Sequence, residues 1–257
     1  MYVNEKIELT PSDFAEYCYC GIKWAYSKSK WAKEILSNPK YISEKKLMSA
    51  KYKKNLKEGQ KNESLCINYI DQKHFINEIV FNGTGNRRDI LETKILYENK
   101  IIYAKPDLIA RVGIKNEVNL YEFKAVSKKE YLEENPFESV KAQIWLYHYL
   151  KNIKINNYYL LRYFKNPTLS NNVKLIKIDS QELLNNGFKN HFVNYMKASK
   201  KISKDINSFD PSDCSSENNI LFNPPSKKTE KWKKCSECNF NFACQYNRFN
   251  WNKKGKR

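Results

Sequence analysis

Apolar positions along this chain change period several times, and the changes mark out its elements. Thr10-Pro-Ser-Asp13 has the form of a helix start, with Thr as N-cap, Pro at the first helical position and Asp at the third. The helix it predicts carries Phe14, Tyr17, Cys18, Trp24 and Trp31. A second helical stretch is predicted over 44–72, Lys-rich on one side, with Leu47, Leu56, Leu65 and Ile67 on the other. Alternation then takes over. Segments 90–97, 101–112 and 118–126 read as three strands, joined by Asn99-Lys100 and by the polar turn 113–117, and predict an antiparallel meander. Helical spacing returns over 139–150, through Val140, Ile144, Tyr147 and Leu150. Segments 158–164 and 173–178 predict two more strands, and 181–202 a long helix. Residues 207–231 are rich in Ser, Asn and Pro and read as a surface linker. The stretch 232–257 is Cys-, aromatic- and Lys-rich, and no internal repeat occurs. The pattern predicts one α/β domain over 1–257 with a mixed central sheet. Residues 1–55 form its N-terminal helical segment, 56–180 its core, and 181–257 a C-terminal helix with the Cys-rich segment.

Composition narrows the function. Of 257 residues, 41% are hydrophobic and 14% aromatic, enough for a packed core and too many for a disordered chain. No apolar run reaches the roughly 18 residues a membrane span needs. The opening Met1-Tyr-Val-Asn-Glu-Lys lacks a signal peptide's apolar stretch, so a cytoplasmic protein is expected. Only 7 glycines occur, with no G-x-x-x-x-G-K-[ST] and no G-x-G-x-x-G, which disfavours P-loop and Rossmann enzymes. His74, His148 and His191 form no H-E-x-x-H, and no G-x-S-x-G is present. With 46 Lys+Arg against 28 Asp+Glu the charge is +18, which suits a polyanion. Only six of the 46 are Arg and Asn is abundant, so a Lys-rich proteome accounts for part of the excess.

The predicted meander carries the chemistry. Lys105-Pro106-Asp107 ends in a carboxylate, and Glu122-Phe123-Lys124 follows on the next strand. Side chains two apart in a strand share a face, so Glu122 and Lys124 point one way and Phe123 the other. A hairpin can set Asp107 across from Glu122. Two close carboxylates repel unless a cation lies between them, and Mg²⁺ or Mn²⁺ favours such oxygen ligands. The ion would lower the pKa of a bound water, and Lys124 could orient or deprotonate it and neutralise charge on a phosphate. This resembles the D…(D/E)-x-K pattern of the PD-(D/E)xK, restriction-endonuclease-like phosphodiesterases. Gln143 and Tyr147 are i and i+4 on the next predicted helix and share a face. They match the Q-x-x-x-Y motif of RecB-type nucleases, where that helix packs beside the active site. RecB-type nucleases also carry G-x-x-x-H upstream; here Gly59-Gln-Lys-Asn-Glu63 puts Glu63 at the His position, and a Glu can ligate Mg²⁺ too.

Seven cysteines, an odd number, argue against a disulfide framework. Cys235-Ser-Glu-Cys238 presents two thiolates to one metal and Cys244 adds a third. The fourth must come from afar: Cys20 is the better candidate and Cys18 the close rival. Four thiolates fit a [4Fe–4S] cluster or Zn²⁺. Cys66 and Cys214 have no partner at ligand spacing and read as structural or free thiols.

An N-terminal cysteine helix, a D…E-x-K core with Q-x-x-x-Y, and C-x₂-C-x₅-C at the end together resemble the CRISPR-associated nuclease family called Cas four. The opening Leu9-Thr-Pro-Ser-Asp-Phe-Ala-Glu-Tyr-Cys-Tyr-Cys20 looks like that family's first helix, although the family's C-P-R is Cys20-Gly-Ile here. The resemblance implies a nuclease core flanked by helical segments that a [4Fe–4S] cluster on Cys20, Cys235, Cys238 and Cys244 ties together. It implies a Mg²⁺- or Mn²⁺-dependent exonuclease on DNA, single-stranded by preference, with the CRISPR integrase as a possible partner in trimming prespacers. Asp107 and Glu122 would bind the metal with Glu63 and the Phe123 carbonyl; Lys124 would activate water; Gln143 and Tyr147 would position Lys124 or the strand. The same layout occurs in stand-alone viral or repair nucleases. A rival of another class is a silent zinc-containing nucleic-acid-binding protein, against which the intact Asp107, Glu122 and Lys124 argue.

Overall fold

Thr10 caps the first helix as its spacing predicts: its Oγ1 accepts the Asp13 N–H at 3.1 Å, with Pro11 in the first turn. The computed structural model describes residues 9–28, 61–85, 89–93, 101–126, 128–134, 138–168, 170–185, 187–204 and Cys238. Trp31, the 44–60 part of the second predicted helix, the Asn99-Lys100 turn, the 207–231 linker and all of 232–257 except Cys238 lie outside the described residues. In chain order the described elements begin with α1 (Pro11–Tyr19), α2 (Gly21–Lys28), α3 (residues 61–74), β1 (Ile76–Asn82) and β2 (Leu91–Glu92). Next come β3 (Tyr103–Ala104), β4 (Leu108–Val112), β5 (Glu117–Ala125), α4 (Glu138–Tyr147) and β6 (Asn157–Tyr163). The last are β7 (Val173–Ile178), α5 (Ser180–Asn185) and α6 (Phe188–Lys204). The chain divides into two compact units, Ser49–Phe188 and Met1–Met48 with Lys189–Arg257.

The α/β class and the mixed sheet are as the pattern predicts. In the unit Ser49–Phe188 a five-stranded sheet runs β1-β4-β5-β6-β7. β5 and β6 are parallel and the other neighbours antiparallel. A parallel pair needs a crossover, and α4 lies within it. Alternation sorts the sheet's two faces. Leu108, Ala110, Tyr121, Phe123, Leu161 and Tyr163 pack with Cys66 and Ile70 of α3. Ile109, Leu120 and Leu160 are buried on the other face. There α4 has every residue from Lys141 to Tyr147 buried. Each large side chain so buried contributes about 1.5–3 kcal/mol before entropy is counted.

Several local readings differ from the structure. β1 is a strand the pattern does not predict, and its pairing with β4 shifts register between Ile76 and Glu78 and again between Ile79 and Phe81. Those irregularities break the period of two that would mark it. The three-strand meander does not form: β2 and β3 make a separate two-stranded ribbon, and β4 pairs with β1 and β5. The predicted strand 101–112 is split at Lys105-Pro106-Asp107, because Pro106 has no N–H for a ladder. The predicted helix 181–202 is two helices, separated near Gly187, whose φ of 68° suits glycine.

In the other unit the first helix is also two, parted at Cys20, whose backbone is extended at φ −159°. An aromatic cluster holds α1, α2 and α6 together. Phe14 meets Phe192 with ring centroids 5.5 Å apart, Tyr17 meets Tyr195 at 5.4 Å, and Trp24 meets Tyr195 at 5.2 Å.

Candidate active site

The β4–β5 register pairs Leu108 with Tyr121 and Ile109 with Leu120. Asp107 ends the proline break, immediately before β4. Asp107 Oδ2 accepts the Phe123 N–H at 2.6 Å. Glu122 is 2% exposed. Its Oε1 accepts Lys124 Nζ at 2.6 Å and Gln143 Nε2 at 2.9 Å. Its Oε2 is buried and has no hydrogen-bond partner among the described residues. Phe123 turns the other way, into the sheet core. Asp107 is thus brought against the Glu122-Phe123-Lys124 segment, where Glu122 and Lys124 are in direct contact.

The electrostatics are those of a crowded, dry pair of carboxylates. Burial pushes the Asp107 carboxyl well above its ordinary range, and the charges of Glu122 and Glu63 push the same way; Lys124 and the Phe123 N–H only partly offset this. Burial pulls Lys124 down, but Glu122 and Asp107 more than compensate, and its ammonium is held above its usual value.

Gln143 and Tyr147 fix this arrangement from α4. Gln143 Nε2 also donates to the Tyr147 hydroxyl at 2.9 Å, and that hydroxyl donates to the Lys105 carbonyl at 3.5 Å. The helix thus holds both Glu122 and the segment that presents Asp107. Glu63, on α3, makes its field felt at Asp107, but its Oε2 accepts the Gly85 N–H at 2.6 Å. Among the described residues no three His, Cys, Asp or Glu side chains are gathered closely enough to hold a metal ion. Asp107 and Glu122 are brought together; Glu63 stands beside them, engaged with Gly85.

Three residues matter here that the pattern did not single out. Gly83 N–H donates to the Asp107 carbonyl at 3.0 Å. A Cβ at Gly83 would lie 2.2 Å from the Pro106 carbonyl oxygen. Gly85 anchors Glu63. Gly83-Thr-Gly85 holds two of only 7 glycines, a signal open to reading. Arg162, 3% exposed, lies beside Lys124 in the β5–β6 register and donates to the Tyr131 carbonyl at 3.0 Å and to the Glu134 carbonyl. An arginine inside the apolar segment 158–164 is its sequence mark.

Of the cysteines, Cys20 is buried and its Sγ accepts the Lys23 N–H at 3.4 Å, capping α2. Lys23, paired with Glu16 at 2.7 Å, is pulled down by burial but raised overall by Glu16, Cys238 and Cys20. Cys20 and Cys238, from opposite ends of the chain, therefore act on one ammonium. Cys18 is half-buried, and Cys66 lies in the sheet core, where burial pushes its thiol up. Cys214, Cys235 and Cys244 lie outside the described residues.

No family model matches the chain, and no curated protein matches it. A solved structure described as the crystal structure of SSO0001 is similar over 96% of this chain and 89% of that one, with 13% identity and a TM-score of 0.45. At that score the likeness carries no conclusion. Among the described residues no helix is long and apolar enough to cross a membrane.

Proposed function

We propose that this chain is a metal-dependent DNA nuclease with a PD-(D/E)xK core of the RecB type, resembling the Cas four family, and that it trims single-stranded DNA ends. The observation that carries the reading is the buried Glu122 Oε2, without a partner among the described residues, beside an Asp107 carboxyl whose ionisation its surroundings resist. An anionic oxygen left unpaired in a dry site is expensive. A hard divalent cation removes that cost, and the oxygen-only donor set suits Mg²⁺ or Mn²⁺. Asp107, Glu122 and the Phe123 carbonyl would hold it, with Glu63 available if Gly85 releases it. When bound, the ion supplies Lewis acidity toward a phosphate oxygen and a water of lowered pKa.

The chain's own residues prepare the site. Gln143 and Lys124 fix Glu122 Oε1, and Oε2 would be the oxygen left for ligation. Lys124 enters as an ammonium, able to orient an attacking water and to neutralise charge on the phosphate. Tyr147 holds the Lys105-Pro106-Asp107 break in place. The charge of +18 draws the polyanion in. In this reading Cys20, Cys235, Cys238 and Cys244 hold a [4Fe–4S] cluster, Zn²⁺ being the alternative occupant. The integrase of CRISPR adaptation is the partner that the resemblance suggests.

The test is cleavage of end-labelled single-stranded DNA with Mg²⁺ or Mn²⁺. Asp107→Ala and Lys124→Ala should each slow it roughly 100-fold or more. Circular dichroism and DNA affinity should stay near wild type. Wild-type rates in either variant would mean that another site does the work.

A further inference from the structure

A second site lies at the other end of the same sheet, on the opposite face. The end of α3, the start of β1, the turn 113–117 and Tyr159 of β6 line an open groove of about 780 Å³. Small-ligand sites span about 300–1,000 Å³. Phe75, the residue that leaves α3, has φ 54°, a left-handed backbone that bulky residues seldom adopt. Its N–H donates to the Asp71 carbonyl at 2.9 Å, and its carbonyl accepts the Gly113 N–H at 2.9 Å, which fixes that conformation. Phe75 is 71% exposed. That left-handed residue ends α3, and it leaves the Phe75 ring on the wall of the groove, open to a ligand.

The remaining walls are equally set. Tyr159 stacks on Tyr121 with centroids 5.2 Å apart and planes at 15°. His74 stands edge-on to Tyr159 at 5.0 Å and its Nδ1 is 2.7 Å from the Tyr121 hydroxyl. Glu117 is half-buried in the lining, with one carboxylate oxygen accepting Asn157 Nδ2 at 3.0 Å. Lys115 is exposed at the rim.

We propose that this groove binds one nucleotide unit, its base stacked on Phe75 with Tyr159 as the second aromatic surface, an amino-bearing base edge at Glu117 and its phosphate at Lys115. Aromatic faces hold any base by stacking. An ionised carboxylate only accepts hydrogen bonds, so Glu117 favours bases that present an amino group, such as cytosine, over thymine. The proposal goes beyond the nuclease reading and does not depend on hydrolysis. The unit could be free or part of a strand.

The test uses the full chain in a chelator, so that no cleavage occurs, and titrates it with the monophosphates of deoxycytidine and thymidine. Deoxycytidine monophosphate should bind several-fold more tightly. Phe75→Ala should weaken it roughly 10-fold or more. Glu117→Gln should erase the preference between the two. Lys115→Ala, on an exposed turn, should also weaken both nucleotides and covers the case in which Phe75→Ala fails to fold. Asp107→Ala should bind as wild type does, so loss of the catalytic reading would leave this one standing. A single dinucleotide added in competition should displace the monophosphate if strand units are accepted. No saturable binding to the wild type would overturn the proposal. So would equal affinities for the two nucleotides, or binding that Phe75→Ala and Lys115→Ala leave unchanged.

Discussion

Asp107 concentrates the tension of the site in one residue. Its carboxyl is buried, faces Glu122 and Glu63, and titrates well above its ordinary range. At low pH the folded and unfolded chains both carry the proton, and Asp107 takes nothing from stability. As pH rises through the ordinary carboxylate range the unfolded chain ionises first. Stability is then lost until the folded carboxyl ionises at its higher value. Asp107→Asn removes that titration and keeps an oxygen for the Phe123 N–H. Without divalent ion at neutral pH it should melt a few degrees above wild type, the gap closing below about pH 4, while cleavage is lost. A variant that melts lower than wild type at neutral pH would show that the carboxyl is not held against ionisation. Gly83 works on the same residue through the backbone. A methyl there would lie 2.2 Å from the Pro106 carbonyl, so Gly83→Ala must move the break that presents Asp107. Overpacking of this kind costs about 1–3 kcal/mol, and cleavage should fall further than stability alone explains. Unchanged melting and unchanged rate would mean that the strand ends separate freely.

Among the elements, α4 shows how the site is held. Gln143 ties it to Glu122, and Tyr147 ties it to the Lys105 carbonyl. Gln143→Ala should therefore leave the fold intact with a loss of about 1.5–3 kcal/mol, the range for a hydrogen bond to a charged group. The cleavage rate should drop while DNA affinity holds; a rate equal to wild type would make α4 only a cover. This pairing was readable because i and i+4 fix a shared face whatever the tertiary context. So was the Asp107–Glu122 match, because strand register follows from one short turn. β1 was not readable, since its two register shifts against β4 scatter the apolar positions. The predicted strand 90–97 falls to the main sheet by its pattern, because alternation reports a half-buried strand and not which neighbour it pairs with; its described part, β2, pairs with β3. The Gly85 anchor for Glu63 was hidden for another reason: a backbone N–H leaves no residue type to read. The Phe75 groove left no mark either, because a left-handed residue that ends a helix shows in the sequence only when it is Gly or Asn.

For the whole molecule the question is what joins the two chain ends. Within the unit Met1–Met48 with Lys189–Arg257, Phe14, Tyr17 and Trp24 already meet Phe192 and Tyr195. Cys20 and Cys238 both act on Lys23 in that unit. Thiolates drawn from both ends around one metal stabilise the folded state because an unfolded chain offers no preformed site. Cys20 is favoured over Cys18 because its Sγ already accepts a backbone N–H at the start of α2, where an anionic sulfur is well placed. Anaerobically purified protein should be brown, with broad visible absorbance from thiolate-to-iron charge transfer. Cys235→Ser and Cys20→Ser should bleach it and lower the melting temperature, with activity falling as a consequence. Cys18→Ser, Cys66→Ser and Cys214→Ser should keep the colour; Cys66→Ser should still lose stability, since that thiol is packed in the sheet core. A colourless protein with one stoichiometric zinc would replace iron–sulfur by zinc and keep a metal held by cysteines from both ends. Colourless, metal-free protein that melts as the wild type does would leave the aromatic cluster as what joins the ends.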